Sequence, residues 1–361
     1  MGCLASFGAF GDPQIAYDEA GRNLPTRKTL SSFKVPHPYT FYSIKKVKNH
    51  DYVIFYGCNE STGIDRIMIF LDTKTLKPKY EVNYLLGEEI TYPKKDELII
   101  SFPTNGIYTG YVINLKITPD KITQISKEKN PATLQEKIAK DKEFEKIGKK
   151  LYTFDNGDIL YILNSEMRSI SDKYLTLKDK NEKEIKKIEV PGDNLSYYCE
   201  CIYDKYIAIN VFNTVTRVKT YDIYSIPDLN KICSFPVETP KKKQGVFTST
   251  IFINNEKIIL GYEGYINIGN IKTGKIEKSF VLDKVLSINS QHKLNDGTFV
   301  SVLTKGVVCH WKIDGTIISK TRAEACDIQA VSLLADDKKV VTQFIKQGEK
   351  RVNLESLDET Q

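Results

Sequence analysis

Long apolar runs are missing from this chain of 361 residues. No stretch approaches the roughly 18 to 20 consecutive apolar residues that a membrane-spanning helix needs, so the chain reads as soluble. No secretory leader precedes the seven cysteines, whose odd number and irregular spacing offer no disulfide framework. Reduced thiols in the cytoplasm are the expectation. Histidine is scarce, with only His37, His50, His292 and His310, and none stands at ligand spacing from another donor pair. Cys199-Glu200-Cys201 and Cys309-His310 therefore fall short of the four ligands of a zinc site. No metal and no other cofactor is expected. A strained G-x-S-x-G elbow leading into a helix is absent as well, and no side chain stands out as catalytic. Charge of one sign is also lacking, since 52 basic and 46 acidic residues are interspersed for a net +6. Nucleic-acid binding asks for basic residues gathered on one face, so no nucleic-acid partner is expected.

What the sequence does contain is a repeat. Polar turns followed by β-branched or aromatic runs recur along the chain: before Tyr52 to Tyr56, Leu98 to Phe102, Ile159 to Leu163, Tyr206 to Ile209, Ile258 to Leu260, Phe299 to Val302, and Val340 to Phe344. With His50, Lys95, Asn156, Asp204, Asn255, Asp296 and Asp337 as markers, the intervals are 45, 61, 48, 51, 41 and 41 residues. Periods near 40 to 45 are those of propeller blades. A second set of turns marks a hairpin after each third strand: Asp72 to Thr75, Thr118 to Asp120, Lys180 to Glu182, Pro227 to Asn230, Lys272 to Gly274, and Asp314-Gly315. Asn, Asp and Gly tolerate the positive φ of tight turns, and proline presets its own φ. Seven turns of the first kind meet six of the second, so the last blade lacks an outer strand. Lys28 to Val35, strand-like and without a partner, can supply it and cover the exposed edge.

These repeats resemble the WD40-like propeller family, in which one terminus commonly lends a strand to the other end. The local match is Val307 to Ser319, VVCHWKIDGTIIS, where Trp311, the only tryptophan, takes the place of the strand-ending Trp and Lys312 the place of the signature Asp. The resemblance implies an all-β fold: a single seven-bladed β-propeller over residues 28–361, closed by an N-terminal strand. Six or eight blades are the alternatives. The long second interval predicts one inserted helix at about 131–148, with either Asn130 as its cap and Pro131 in the first turn or Thr133 and Glu136 as a capping box. Lys137 and Lys140 of that helix, and Lys241, Lys242 and Lys243 of another connection between blades, form a candidate partner surface, with weak binding of anionic lipid as its further possibility.

The first residues, MGCLAS, fit the N-myristoylation pattern M-G-x-x-x-[ST], with Gly2 as acceptor and Ser6 in place. One myristoyl chain holds a protein to a bilayer only marginally, and a palmitoylated Cys3 would provide the second anchor. Residues 1–27 then read as a flexible arm. Gly269 to Ile276, GNIKTGKI, nearly spells a phosphate-binding loop, but Ile276 replaces the required hydroxyl and the context is strand, turn, strand. It reads as a hairpin. The function expected is that of a non-enzymatic, monomeric scaffold at the cytosolic face of a membrane, presenting propeller surfaces to protein partners. A propeller enzyme or small-ligand receptor using the central channel is the alternative.

Overall fold

A computed structural model describes residues 20–360 apart from 48–49, 63–64, 86–88, 95–96, 105–108, 130–148, 154–156, 164–173, 182, 190–194, 204, 214, 216–218, 227, 238–247 and 325–330. The predicted helix at 131–148 and most of the arm lie outside the described residues.

The described elements are almost all strands. After β1 (Arg27–Lys34) come β2 (Tyr39–Lys46), β3 (Tyr52–Asn59), β4 (Asp65–Asp72) and β5 (Pro78–Leu85), which form one four-stranded sheet in that order. The next sheets repeat the pattern: β6 (Glu89–Lys94) to β7 (Glu97–Thr104), β8 (Thr109–Ile117) and β9 (Ile122–Lys129); then β10 (Lys149–Thr153), β11 (Ile159–Leu163), β12 (Tyr174–Lys178) and β13 (Glu184–Glu189). There follow β14 (Leu195–Tyr203), β15 (Tyr206–Asn213), β16 (Lys219–Ser225) and β17 (Lys231–Val237), and β18 (Thr248–Phe252), β19 (Lys257–Tyr262), β20 (Tyr265–Asn270) and β21 (Lys275–Val281). Next are β22 (Ile288–Lys293), β23 (Phe299–Leu303), β24 (Val307–Trp311) and β25 (Ile317–Arg322). The last sheet runs β1-β28-β27-β26, from β26 (Val331–Asp336), β27 (Lys339–Lys346) and β28 (Glu349–Thr360). The N-terminal strand is thus the outer strand of the C-terminal sheet, paired antiparallel from Arg27 opposite Thr360 to Lys34 opposite Arg351.

The hairpins show why the chain reverses where it does. Asp72 Oδ1 accepts hydrogen bonds from the backbone N–H groups of Lys74 and Thr75 at 2.8 and 2.9 Å. Asn270 Oδ1 does the same for Lys272 and Thr273, and Gly274 follows at φ 66°. Such side chains stand in for a backbone acceptor and fix the turn locally. Each of these turns joins the third and fourth strands of its sheet.

The chain divides into two compact units, one within residues 138–293, the other from residues 8–137 with 294–361. In the second unit the strand period of two sorts the core. Tyr52, Ile54 and Tyr56 of β3 pack with Met68, Phe70, Ile113, Leu115 and Ile117. Val53 and Phe55, pointing the other way, pack with Ile67, Ile69, Val341, Val352 and Leu354. Both faces of the β2–β5 sheet are therefore buried, each by a neighbouring sheet. The first unit repeats the arrangement on β15, where Ile207, Ile209 and Val211 join Leu160, Leu175 and Leu177 while Ala208 joins Phe252, Ile258 and Leu260. Each fully buried Leu, Ile or Phe contributes roughly 1.5–3 kcal/mol, so the stacking of sheet on sheet is what holds each unit together.

Candidate functional site

The residues picked out from the sequence, Gly2, Cys3, Lys137, Lys140, Lys241, Lys242 and Lys243, lie outside the described residues. What is described is how the arm that carries Gly2 and Cys3 is fixed. Leu24 to Thr26 run beside the end of β25: Arg322 donates from its backbone N–H to Pro25 O at 3.0 Å and from Nε to Leu24 O at 3.1 Å, and Thr26 makes an isolated parallel bridge to Arg322. The next residue is the anchor.

Arg27 is fully buried, as is its partner Glu355 on β28. Its Nε and Nη2 both reach Glu355 Oε2, at 2.9 and 2.7 Å. Nη2 also donates to Gly306 O at 2.9 Å and Nη1 to Thr321 O at 3.3 Å. The Gly306 carbonyl is set by a single 3₁₀ turn, Thr304–Gly306, in which Lys305 and Gly306 take φ of 61° and 69°. Thr342 donates to Glu355 Oε2 at 2.9 Å, and the Ser332 hydroxyl lies 2.7 Å from Thr342 Oγ1. Because the Thr342 proton is committed to the carboxylate, Ser332 is the donor of that pair. Burial pushes the Glu355 carboxyl above its ordinary range, opposed by the Arg27 guanidinium and by the Thr342 hydroxyl. This clasp gathers groups from β1, β25, β26, β27 and β28.

Several other polar groups make contacts within the fold. Asp296 Oδ1 accepts from Thr298 Oγ1 at 2.6 Å, and Thr298 Oγ1 lies 2.7 Å from His310 Nε2. The hydroxyl proton already belongs to Asp296, so His310 donates to Thr298 and is not placed to take a proton from it. Trp311, stacked on Phe299 with ring centroids 4.9 Å apart, donates from its indole N–H to Ser301 Oγ at 3.0 Å. Burial lowers the pKa of His292, and its Nε2 lies 3.1 Å from Ser290 Oγ. Cys309 is buried, and burial pushes the Cys233 thiol up to about 11. Among the described residues no group of three or more His, Cys, Asp or Glu could hold a metal ion. Gly269 to Ile276 forms β20, a turn and the start of β21, with Lys272 ion-paired to Glu256 at 2.5 Å. It is a hairpin, as its sequence predicts. No described helix is long and apolar enough to cross a membrane.

Small antiparallel sheets of four strands, repeated along the chain and stacked face to face within each unit, are the pattern of propeller blades. The fold is β-propeller-like. No protein-family model and no curated protein matches the sequence. Among solved structures, Raptor of Chaetomium thermophilum is similar over 96% of this chain and 30% of that one, at 10% identity and a TM-score of 0.55. This chain thus spans less than a third of the Raptor chain. The Dos1 propeller is similar over 89% of this chain and 78% of that one, at 12% identity and a TM-score of 0.49. At 10% identity the likeness to Raptor bears on fold and not on activity.

Proposed function

We propose that the chain is a seven-bladed propeller, closed into a ring by β1, and that it works as a non-enzymatic scaffold held at the cytosolic face of a membrane by acyl chains on Gly2 and Cys3. The observation that carries the reading is the clasp. A lipid-bearing arm that enters the fold at a buried ion pair, Arg27–Glu355, is coupled firmly to the sheets and brings them along to any surface it binds. The pattern M-G-x-x-x-S with an adjacent cysteine supports two anchors, and two are needed for stable residence on a bilayer. Propeller-like folds favour a general role in protein interaction, since a rigid array of sheets carries many variable loops. Lys137, Lys140, Lys241, Lys242 and Lys243 are the proposed partner surface of a monomer that takes neither nucleic acid nor metal.

Metabolic labelling with myristate and palmitate analogues tests the anchor, comparing the intact protein with Gly2→Ala and Cys3→Ser. The expected result is that both labels enter the intact protein, neither enters Gly2→Ala, and only myristate enters Cys3→Ser. An intact protein that takes up no label and stays in the soluble fraction of cells overturns the tether.

A further inference from the structure

We infer that a break repeated in the outer strand of every described sheet closes those edges to strand addition, so that no second copy of the chain is recruited along them. The break is visible in the registers. Between β4 and β5, Phe70 faces Tyr80 but Leu71 faces Pro78, which leaves Lys79 with no residue opposite. The same skip leaves out Ile125 of β9, Ile185 of β13, Ile232 of β17, Glu277 of β21 and Ile318 of β25. It recurs in β1, where Thr29 faces Glu355 and Ser31 faces Leu354, so that Leu30 is the residue left over. β1 comes from the other end of the chain and is not joined to its neighbour β28 by a hairpin. A feature present there as well belongs to the edge and not to the turn that precedes it.

An extra residue on one strand of a ladder bends that strand, adds twist and interrupts pairing. It also divides the edge. The longest unbroken stretch is four residues in β1, β9, β13, β21 and β25, five in β17 and six in β5. Only alternate residues of an antiparallel outer strand turn both N–H and C=O outward. An incoming strand therefore meets about two or three such residues before the backbone bends away, which is a poor template for pairing.

The exposed apolar residues show why a guard is needed. Leu30, Ile125, Ile185, Ile232 and Ile318, each left out of its ladder, are between 43% and 57% exposed, and the exposed Ile276 and Ile317 stand one position from a break. Among the described residues of the outer strands, Val281 is the exception. Aliphatic side chains on an unpaired edge favour aggregation; here they sit where the ladder cannot run on straight. The chain's own arm behaves accordingly. Beside the end of β25 it makes one isolated bridge, Thr26 to Arg322, and the residues before it form a turn closed by the Leu24 N–H on Gly21 O instead of a ladder. The inference is independent of acylation and of the scaffold role.

Deleting a left-out residue makes the ladder regular without changing any other pair. Deletion of Ile125 turns the eight residues of β9 into seven continuous ones, and deletion of Lys79 does the same for β5 without removing an apolar side chain. Ile125→Lys keeps the break and is the control. On the full-length protein, sedimentation velocity over a concentration series should show both deletion variants rising towards about twofold mass, while the parent and Ile125→Lys stay unchanged. Hydrogen exchange read by mass spectrometry should slow about tenfold or more with concentration along the edited strand alone. Deletion variants that unfold cooperatively near the parent's midpoint and yet stay monomeric overturn the inference. So does association of Ile125→Lys to the same extent as the deletion. The parent gives a reading that needs no variant: an excess of synthetic peptide copying β8, the natural neighbour of β9, should leave exchange at residues 126–129 unchanged, and protection gained there overturns the inference.

Discussion

Replacing Arg27 by methionine removes the positive half of a pair that is wholly out of solvent, with Arg27 Nη2 and Glu355 Oε2 2.7 Å apart. Methionine fills much of the volume, so the loss is chiefly electrostatic. Leaving one partner of a buried pair behind costs about 3–5 kcal/mol, and every 1.4 kcal/mol is a factor of ten in an equilibrium. If β1 opens from β28 as a local unit, amide protection along Ser31 to Lys34, which face Leu354 to Arg351, should fall about a hundred- to several-thousandfold. Native-state hydrogen exchange measures that loss directly, without assuming that two compact units unfold together. The pH dependence has a definite sign. Burial raises the Glu355 carboxyl above its unfolded value against the pull of Arg27, and a carboxyl raised on folding stabilises the folded chain below its unfolded pKa and loses that contribution as pH rises through the folded one. In Arg27→Met the downward pull is gone and the carboxyl titrates higher still. The deficit of the variant should therefore shrink as the pH falls and Glu355 takes up its proton. Arg27→Met/Glu355→Leu should regain most of the lost protection, because an apolar pair of similar size needs no compensating charge. Protection in Arg27→Met equal to that of the parent, or a deficit that widens on acidification, would refute the reasoning.

Two further predictions rest on close contacts. A Cβ added at Gly264 would stand 1.8 Å from Asp283 O, a backbone atom that cannot swing aside; Gly264→Ala should cost at least about 1–3 kcal/mol, seen as a lowered midpoint in urea titration. The Cys233 thiol, pushed up to about 11 by burial and by Asp222, should react slowly with iodoacetamide at pH 8 while unfolded protein reacts readily, as peptide mass spectrometry would show.

The strands were legible because their signal is local. Tyr52 to Tyr56, Ile159 to Leu163 and Phe299 to Val302 each fall in the second strand of a sheet, since a strand with a sheet on either side reads as a nearly continuous apolar run. The turns were legible for the same reason, as Asp72 and Asn270 act on residues only two or three positions away. Pairing Lys28 to Val35 with the last sheet came from counting strands, and the observed β1 is displaced from that range by one residue, Arg27–Lys34. That one residue is the anchor. Arg27 was read as the last residue of the arm because nothing near it in sequence distinguishes it from Arg22. Its partners Gly306, Thr321, Ser332, Thr342 and Glu355 are between 279 and 328 positions away, and no pattern of spacing reaches so far. The Trp311–Ser301 bond was hidden similarly, since Ser301 sits among apolar residues of β23 and only the hairpin brings it opposite β24.

The separation of Arg27 from Glu355 also sets a timetable for the newborn chain. β1 leaves the ribosome before any other described strand, and β28 leaves after all the others. At roughly 5–20 residues per second, the 328 positions between the two ion-pair partners take on the order of 15 to 65 s to synthesise. Throughout that wait an arginine destined for the interior has no counterion, and β28 is not there for β1 to pair with. A protein assembled in this order needs its earliest strand kept soluble until the last one arrives. With only Leu30 and Phe33 apolar among its eight residues, RKTLSSFK, β1 suits a segment that must first live in water.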